Sequence, residues 1–470
     1  MSRAPPSCSP PAGSLPRSAC ALAAALAAAL GMASAWGFSV DDALISGRVA
    51  EHLALGQGYR FNPGGPIVDC VTPLGWAYLL APFARRGAEH AVLCASLGGG
   101  LLWLFGAAQL GRLGAELCTG ARRAGLFLCL GLCLPLAAWA VAGMETGLVL
   151  ALAVGALTPG YRGALCAGLA AALRPELVPW AAVLSFGQVL ALGRPAAARF
   201  GALGLALAPS VIVAALRWAV FGQPVPLAVF AKPSDLGHGL RYAFGSLVLA
   251  GPALSLLALG AWRRVPARLW AIAIAFGVHV LMLIGIGGDW MPLWRLAVPT
   301  FPGLLLVGAA LAEQSSARSN LLRALLLLGA AAQLHYVFGS DTRAVRANQA
   351  RLIAAAHELL LGAERVGTVD VGWVAAASGR QIVDFAGVSD AEVAYLPGGH
   401  TSKRLPSDFL ERRQVDALVL RRQAEPQRWA YAVDARVLGL RGAQRFASVG
   451  TLPVAGGGEY VVLRRAEARP

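Results

Sequence analysis

Two adjacent carboxylates, Asp41 and Asp42, open the stretch "DDALISGRVAEHLALGQGYRFNPG", two residues after the nearly uncharged "ACALAAALAAALGMASAWGF". They stand where a hydrophobic helix would leave a membrane. Acids recur beside later breaks in apolar sequence: Asp69 in "VDCVTPLGW", Glu145 in "GMETGL", Glu176 in "RPE" and Asp289 in "GGDWMPLWR". Arg48, Arg174, Lys232 and Arg295 supply cations in the same segments. Ionisable groups at membrane depth are costly and usually mark a site. A guanidinium grips phosphate oxygens in a two-pronged way, so Arg174 is a candidate phosphate clamp, with an ion pair to Glu145 or Glu176 as the structural alternative. Trp290 and Trp294 would suit sugar stacking, or the aromatic belt of a membrane interface. Asp41 and Asp42 also fit the first turn of an amphipathic helix lying at the membrane interface, where a carboxylate caps open N–H groups; a cap requires one acid, and there are two.

The elements that must position these residues follow from composition. The chain has 470 residues, 57% hydrophobic and only 14% charged, against roughly a quarter charged in an ordinary soluble domain. This is the composition of a polytopic α-helical membrane protein. The net charge of +15 is not a nucleic-acid footprint, because the arginines fall in small groups between apolar runs rather than along one stripe. The eight Cys form no C-x-x-C pair and join no His cluster, so neither zinc nor a disulfide framework is indicated.

Apolar runs long enough to approach about 30 Å of hydrocarbon are read at 19–38, 89–111, 124–142, 145–158, 163–173, 176–192, 200–220, 241–262, 269–286, 296–313 and 324–340. They predict about 11 transmembrane helices, three of them short. Residues 71–84, begun beside Pro73, are read as an interfacial or re-entrant helix. With the N-terminus (Arg3, Arg17) in the cytoplasm, alternate loops carry Arg112/Arg122/Arg123, Arg162, Arg194/Arg199, Arg263/Arg264/Arg268 and Arg318/Arg323, as basic cytoplasmic loops should. Arg85, Arg86 and Arg217 are exceptions. On this reading Asp41, Asp42, Asp69, Glu145, Glu176 and Asp289 share the extracytoplasmic face. The basic lead and "ASA" at 33–35 would also suit a signal peptide; the retained helix is the preferred reading, because the acids that follow need to be held beside the bilayer.

Two domains are expected. Residues 1–340 form the membrane domain, with an extracytoplasmic first loop at 39–88 and a broken, re-entrant pair around "RPE". Residues 341–470 form a small soluble α/β domain outside the membrane, with strands at "RVGTVDV", "QIVDFAG", "DALVLRR", "FASVGTL" and "EYVVLRR" and helix-like segments between them.

In their order along about residues 35–425, "DDALISGRVAEHLALGQGYRFNPG", "GMETGL", "AALRPEL", "FGQPVPLAVFAK", "GGDWMPLWRLAVP" and "VGTVDVGWVAAASGRQIVDFAGVSD" resemble bacterial membrane glycosyltransferases of the C-type (GT-C) fold. The resemblance is nearest to the terminal β-(1→2)-arabinofuranosyltransferase-like group. It implies a polyprenyl-phosphate sugar donor, a cell-envelope glycan or glycolipid acceptor, contact with membrane lipid, and a place in the bacterial inner (plasma) membrane. It makes Asp41, with Asp42 beside it, the catalytic acid at the end of the first helix, and Glu145 a second acid. Where the family usually reads "EGYTNPLW", this chain has "VDCVTPLGW", which leaves Asp69 in the acid's place. A carboxylate would then deprotonate the acceptor hydroxyl while Arg174, Lys232 or Arg295 stabilises the departing phosphate. A divalent cation, magnesium or manganese, between Asp41, Asp42 and the phosphate would suit hard oxygen ligands, though nothing in the sequence requires it. The rival readings are a transporter of a small anionic or lipid-linked substrate, which also uses broken helices with midplane charges, and a sensor or assembly protein whose tail binds a partner.

Overall fold

The computed structural model describes residues 16–258, 260–424, 428–455 and 457–466; the orientation cue at Arg3 lies outside them. Helix α1 (Arg17–Ala35) is followed by α2 (Asp41–Ala54), a short α3 (Trp76–Leu80) that runs into a 3-10 turn over Ala81–Arg86, and the long α4 (Ala88–Ala115). α1 and α4 pack through small residues, and a Cβ at Gly111 would lie 2.4 Å from the Cys20 carbonyl oxygen. Close backbone approach of this kind is how helices associate where lipid tails remove the hydrophobic drive. Residues 71–84 make no span, since α3 and its 3-10 turn are too short for one.

The run at 124–142 is bent. α5 (Gly120–Leu132) and α6 (Leu134–Ala140) meet at 54°, with Pro135 in the first turn of α6. α7 (Thr146–Ala156), α8 (Tyr161–Leu173) and α9 (Val178–Ala191) have 11, 13 and 14 residues. At 1.5 Å per residue they reach only about 16–21 Å, short of a full bilayer core. α10 (Ala196–Phe221), α11 (Leu227–Ala231) and α12 (Leu236–Val248) follow. The expected span at 241–262 is not one helix. It stops at Gly251, whose φ of +94° suits glycine, and Pro252, and continues as two 3-10 turns.

α13 (Ala267–Ile286), α14 (Phe301–Glu313) and α15 (Ala317–Leu359) complete the helical part. Among the described residues five helices are long and apolar enough to cross a membrane, six if α5 and α6 count as one span. The eleven runs of the sequence therefore become fewer full-length spans, because Pro and Gly break the apolar sequence into half-length pieces. Large side chains point outward along these helices: Leu30 is 74% exposed, Leu101 67% and Ile212 59%. Apolar surface on this scale belongs in lipid, and the chain is an integral membrane protein.

The expected boundary at 340/341 falls within α15, which runs unbroken for 43 residues. Beyond it, β1 (Arg365–Thr368), α16 (Val371–Ser378), β2 (Gln381–Asp384), β3 (Ala417–Arg422), β4 (Phe446–Pro453) and β5 (Glu459–Arg465) build a mixed sheet of order β2-β1-β3-β5-β4. β1 is parallel to β2 and β3; β5 is antiparallel to β3 and β4. One hydrophobic core passes without interruption from the bundle into Val366, Val374 and Val462 of this unit, while Phe385, Phe409 and Leu418 form a second core on the sheet's other side.

Candidate active site

A cavity of about 500 Å³ opens at the end of the bundle where α2 begins. Asp42, Glu145, Arg174, Glu176, Lys232, Asp289 and Arg295 line it. They come from five separate breaks in helical structure, which is where irregular backbone can face a cavity at membrane depth. The remaining wall is mostly apolar, with Ile45, Val225, Val229 and Met282 among its members. Val229 is also 53% exposed on the outer surface, so the short segment around α11 separates the cavity from the surroundings of the bundle.

"RPE" forms the floor. α8 ends at Leu173, Arg174 is extended, and a 3-10 turn over Pro175–Leu177 leads into α9. Arg174 Nε lies 3.0 Å from Glu145 Oε1 and 3.7 Å from Glu176 Oε1, and all three side chains are buried. Among the described residues neither Glu145 oxygen has a hydrogen bond of good geometry, nor has Arg174 Nη2. The cluster is paired in charge but incompletely satisfied in hydrogen bonds, at the wall of a cavity.

"GGDWMPLWR" forms a tight loop that brings both of its charged residues inward. Gly287 and Gly288 have φ of +87° and +70°, and Leu293 and Trp294, at 59° and 50°, occupy the left-handed region that side chains disfavour. The Trp139 indole N–H donates to the carbonyls of Pro292 and Leu293 at 3.2 Å, which holds the loop from beneath. Arg295 Nε then donates to Asp289 Oδ2 at 2.8 Å, and its Nη1 reaches Asp42 Oδ2 at 3.5 Å. Burial raises the Asp289 pKa, but Arg295, Lys232 and Arg174 more than offset it and hold the carboxyl below its ordinary value. Lys232 makes no ion pair among the described residues.

Asp41 is placed otherwise than its neighbour. Its Oδ2 accepts the Gly372 N–H at 2.8 Å and its Oδ1 the Trp373 N–H at 2.7 Å, so it caps α16 from across the molecule. A Cβ on Gly372 would sit 2.2 Å from the Asp41 carbonyl oxygen, so only glycine permits this approach. Burial and then Asp370 push the Asp41 carboxyl up to about 8 against these two donors. With both oxygens taken, Asp41 does not fit as half of a divalent-cation site with Asp42. Replacing Asp41 with Ala is expected to destabilise α16 by about 1–2 kcal/mol; faster hydrogen exchange over residues 371–378 would register it, and unchanged exchange would refute the cap.

Three further candidates lie outside the cavity. Arg48 donates to the carbonyls of Phe61 (2.7 Å), Ala375 (2.8 Å) and Arg380 (2.5 Å), and so stitches α2 to the C-terminal unit. For the same reason α2 is largely buried between α4 and α16 instead of lying on the membrane surface. Asp69 pairs with buried Arg217 at 2.7 Å, which explains one exception in the loop-charge pattern. Trp290 is 61% exposed and stacks on His238 with ring centroids 4.5 Å apart.

Sequence reasoning missed His400. It comes from the tail to meet Trp290 edge-on at 5.4 Å, within the field of Lys232, Asp42, Asp289 and Lys403. Burial first, and Lys232 second, depress its pKa from 6.5 to about 4. The folded protein therefore binds fewer protons here than the unfolded chain between those values, so stability is full above pH 6.5 and falls as pH drops toward 4. Thermal unfolding between pH 7.5 and 4.5 should show the wild type losing more stability than His400→Phe; parallel curves would remove His400 as the cause. A lone His in "LPGGHTSK" carries no local signal for any of this.

Comparison with known proteins adds little at the level of the site. Residues 341–462 match a family described as a domain of unknown function (DUF8728). No curated protein matches the chain. Among solved structures, the chain is similar to a cryo-EM structure of a mutant of arabinofuranosyltransferase AftD from Mycobacteria, at 17% identity and a TM-score of 0.43, covering 97% of this chain and 42% of that one. The chain thus spans less than half the length of that protein, and a likeness this distant carries no argument about activity.

Proposed function

We propose that the chain is a membrane glycosyltransferase that moves a sugar from a polyprenyl-phosphate donor to a cell-envelope glycan or glycolipid at the extracytoplasmic face of the bacterial inner membrane. The observation that carries this reading is the cavity itself: a carboxylate, Asp42, faces it beside Arg295, while Lys232 lies on its wall with no ion-pair partner among the described residues. In the reaction Asp42 takes the proton of the acceptor hydroxyl as that oxygen bonds to the anomeric carbon. The bond from that carbon to the phosphate oxygen breaks, and Lys232 with Arg295 stabilises the charge left on the lipid phosphate. The apolar wall around Val225, Val229 and Met282 suits the prenyl chain next to that phosphate. Arabinofuranose is the sugar favoured by the sequence resemblance. The base is assigned to Asp42 because the oxygens of Asp41 are turned toward α16.

The test is turnover in proteoliposomes, with a panel of polyprenyl-phosphate sugars headed by arabinofuranose, envelope glycan acceptors, and mass spectrometry of both products. The wild type should transfer one sugar. Lys232→Met should lower kcat/KM for the donor by about 10- to 100-fold, the worth of one charge-assisted hydrogen bond. Movement of intact lipid-linked sugar across sealed vesicles, with no transfer to any acceptor, would replace this reading with transport.

A further inference from the structure

A second cavity lies at the opposite end of the bundle, the end that the basic loops place in the cytoplasm. It measures about 540 Å³ and is enclosed by α5, α14 and α15. At its head stands Arg323, whose side chain is 4% exposed. Arg323 Nη1 donates to the carbonyls of Ser255 (2.8 Å) and Gly308 (3.4 Å) and its Nη2 to the Asn320 side chain, while its Nε has no partner among the described residues. Among the described residues no carboxylate lies within ion-pair distance of it. Arg122, at the mouth, bridges to Glu313 at 3.1 Å and is 42% exposed. Arg323, read from the sequence as part of a basic loop, is thus a buried guanidinium near the start of α15 with no carboxylate beside it among the described residues.

Below Arg323 the walls turn apolar, and the cavity shares Cys129, Leu305 and Leu327 with a smaller one that continues to Leu334. From Arg323 to Leu334 along α15 is about 16 Å at the helical rise, close to half of the roughly 30 Å hydrocarbon core. The groove is thus one leaflet deep. Leu128 and Leu328, which line the lower cavity, are 53% and 43% exposed on its outer flank, so it opens toward lipid.

We propose that this groove binds an anionic glycerophospholipid, its phosphate on Arg323 and Arg122 and one acyl chain along α15 toward Leu334. The charge decides the class of ligand: a buried arginine without a carboxylate takes an anion, and basic pockets between helices on the cytoplasmic side are a recurrent headgroup site. The length of the apolar groove decides for a lipid over a free phosphate. This inference is independent of the proposed transferase reaction.

The experiment uses full-length protein in detergent, stripped of lipid, with phosphatidylglycerol, phosphatidylcholine, a polyprenyl monophosphate or inorganic phosphate added back. Bound lipid is counted by native mass spectrometry, and the midpoint of thermal unfolding is followed. Phosphatidylglycerol should be retained at one per chain and raise Tm by a few degrees, with phosphatidylcholine and inorganic phosphate inert. Arg323→Met should lose that retention at least tenfold. Because that variant removes a structural contact to Ser255, Leu327→Trp provides an independent arm, filling the groove while leaving Arg323 in place; it too should lose the lipid. Equal retention of phosphatidylcholine, an equal Tm rise with inorganic phosphate, preference for polyprenyl monophosphate, or undiminished retention by Leu327→Trp would each overturn the proposal.

Discussion

Asp42→Asn should fold, insert and bind donor as the wild type does, yet lose about 10²- to 10⁴-fold in kcat, the usual contribution of a positioned general base. Asn has nearly the size of Asp and can still accept from Arg295, so the 3.5 Å contact is weakened without a steric change. What it cannot do is take up the proton released by the acceptor hydroxyl. KM for the lipid donor should move little, because Lys232 and the apolar wall remain. Asp41→Asn makes the control: its oxygens serve α16, so its effect should appear in stability more than in kcat. If steady-state kinetics place the large loss at Asp41 and leave Asp42→Asn active, the assignment of the base is wrong.

Arg174→Met is expected to be the most destabilising single change in the site. It leaves the buried Glu145 and Glu176 without the cation that pairs with both, and only the more distant Arg295 acts on them. Removing one partner of a buried pair typically costs about 3–5 kcal/mol, because the remaining charge is uncompensated. Thermal unfolding in detergent should therefore fall sharply, and Glu145→Gln with Glu176→Gln added to Arg174→Met should recover much of it. The same pair of measurements separates the two roles read from the sequence. A phosphate clamp predicts a stable Arg174→Met protein with a raised donor KM, whereas a structural pair predicts loss of fold with rescue by the two Gln substitutions.

Much of the architecture was legible because it rests on local pattern. Apolar runs mark α1, α4, α10 and α13, the proline and charges of "RPE" mark the break between α8 and α9, and five alternating segments mark the five strands. The number of full spans was not legible, because run length alone does not register that Gly251 and Pro252 cut one run and that α7, α8 and α9 stop at half-length. Within the site, the acids at helix breaks stand out by type and depth. Which of two adjacent aspartates faces the cavity does not, since the answer depends on Gly372 and Trp373 from the tail. Arg48 and Asp69 look like site residues for a related reason: a buried charge reads the same in sequence whether its partner is a ligand, a carbonyl or Arg217.

The contact between Asp41 and α16 joins residues 331 and 332 positions apart. A ribosome adding 5–20 residues per second takes roughly 15 to 65 s to cover that distance. Throughout that interval α2 lacks the two N–H groups that meet its leading carboxylate. Completion of this contact therefore waits on synthesis of the tail: a nascent or truncated chain that stops before Gly372 has every cavity-lining residue but Val388, and packs α2 on α4, yet lacks the two N–H groups that hold Asp41 away from the cavity.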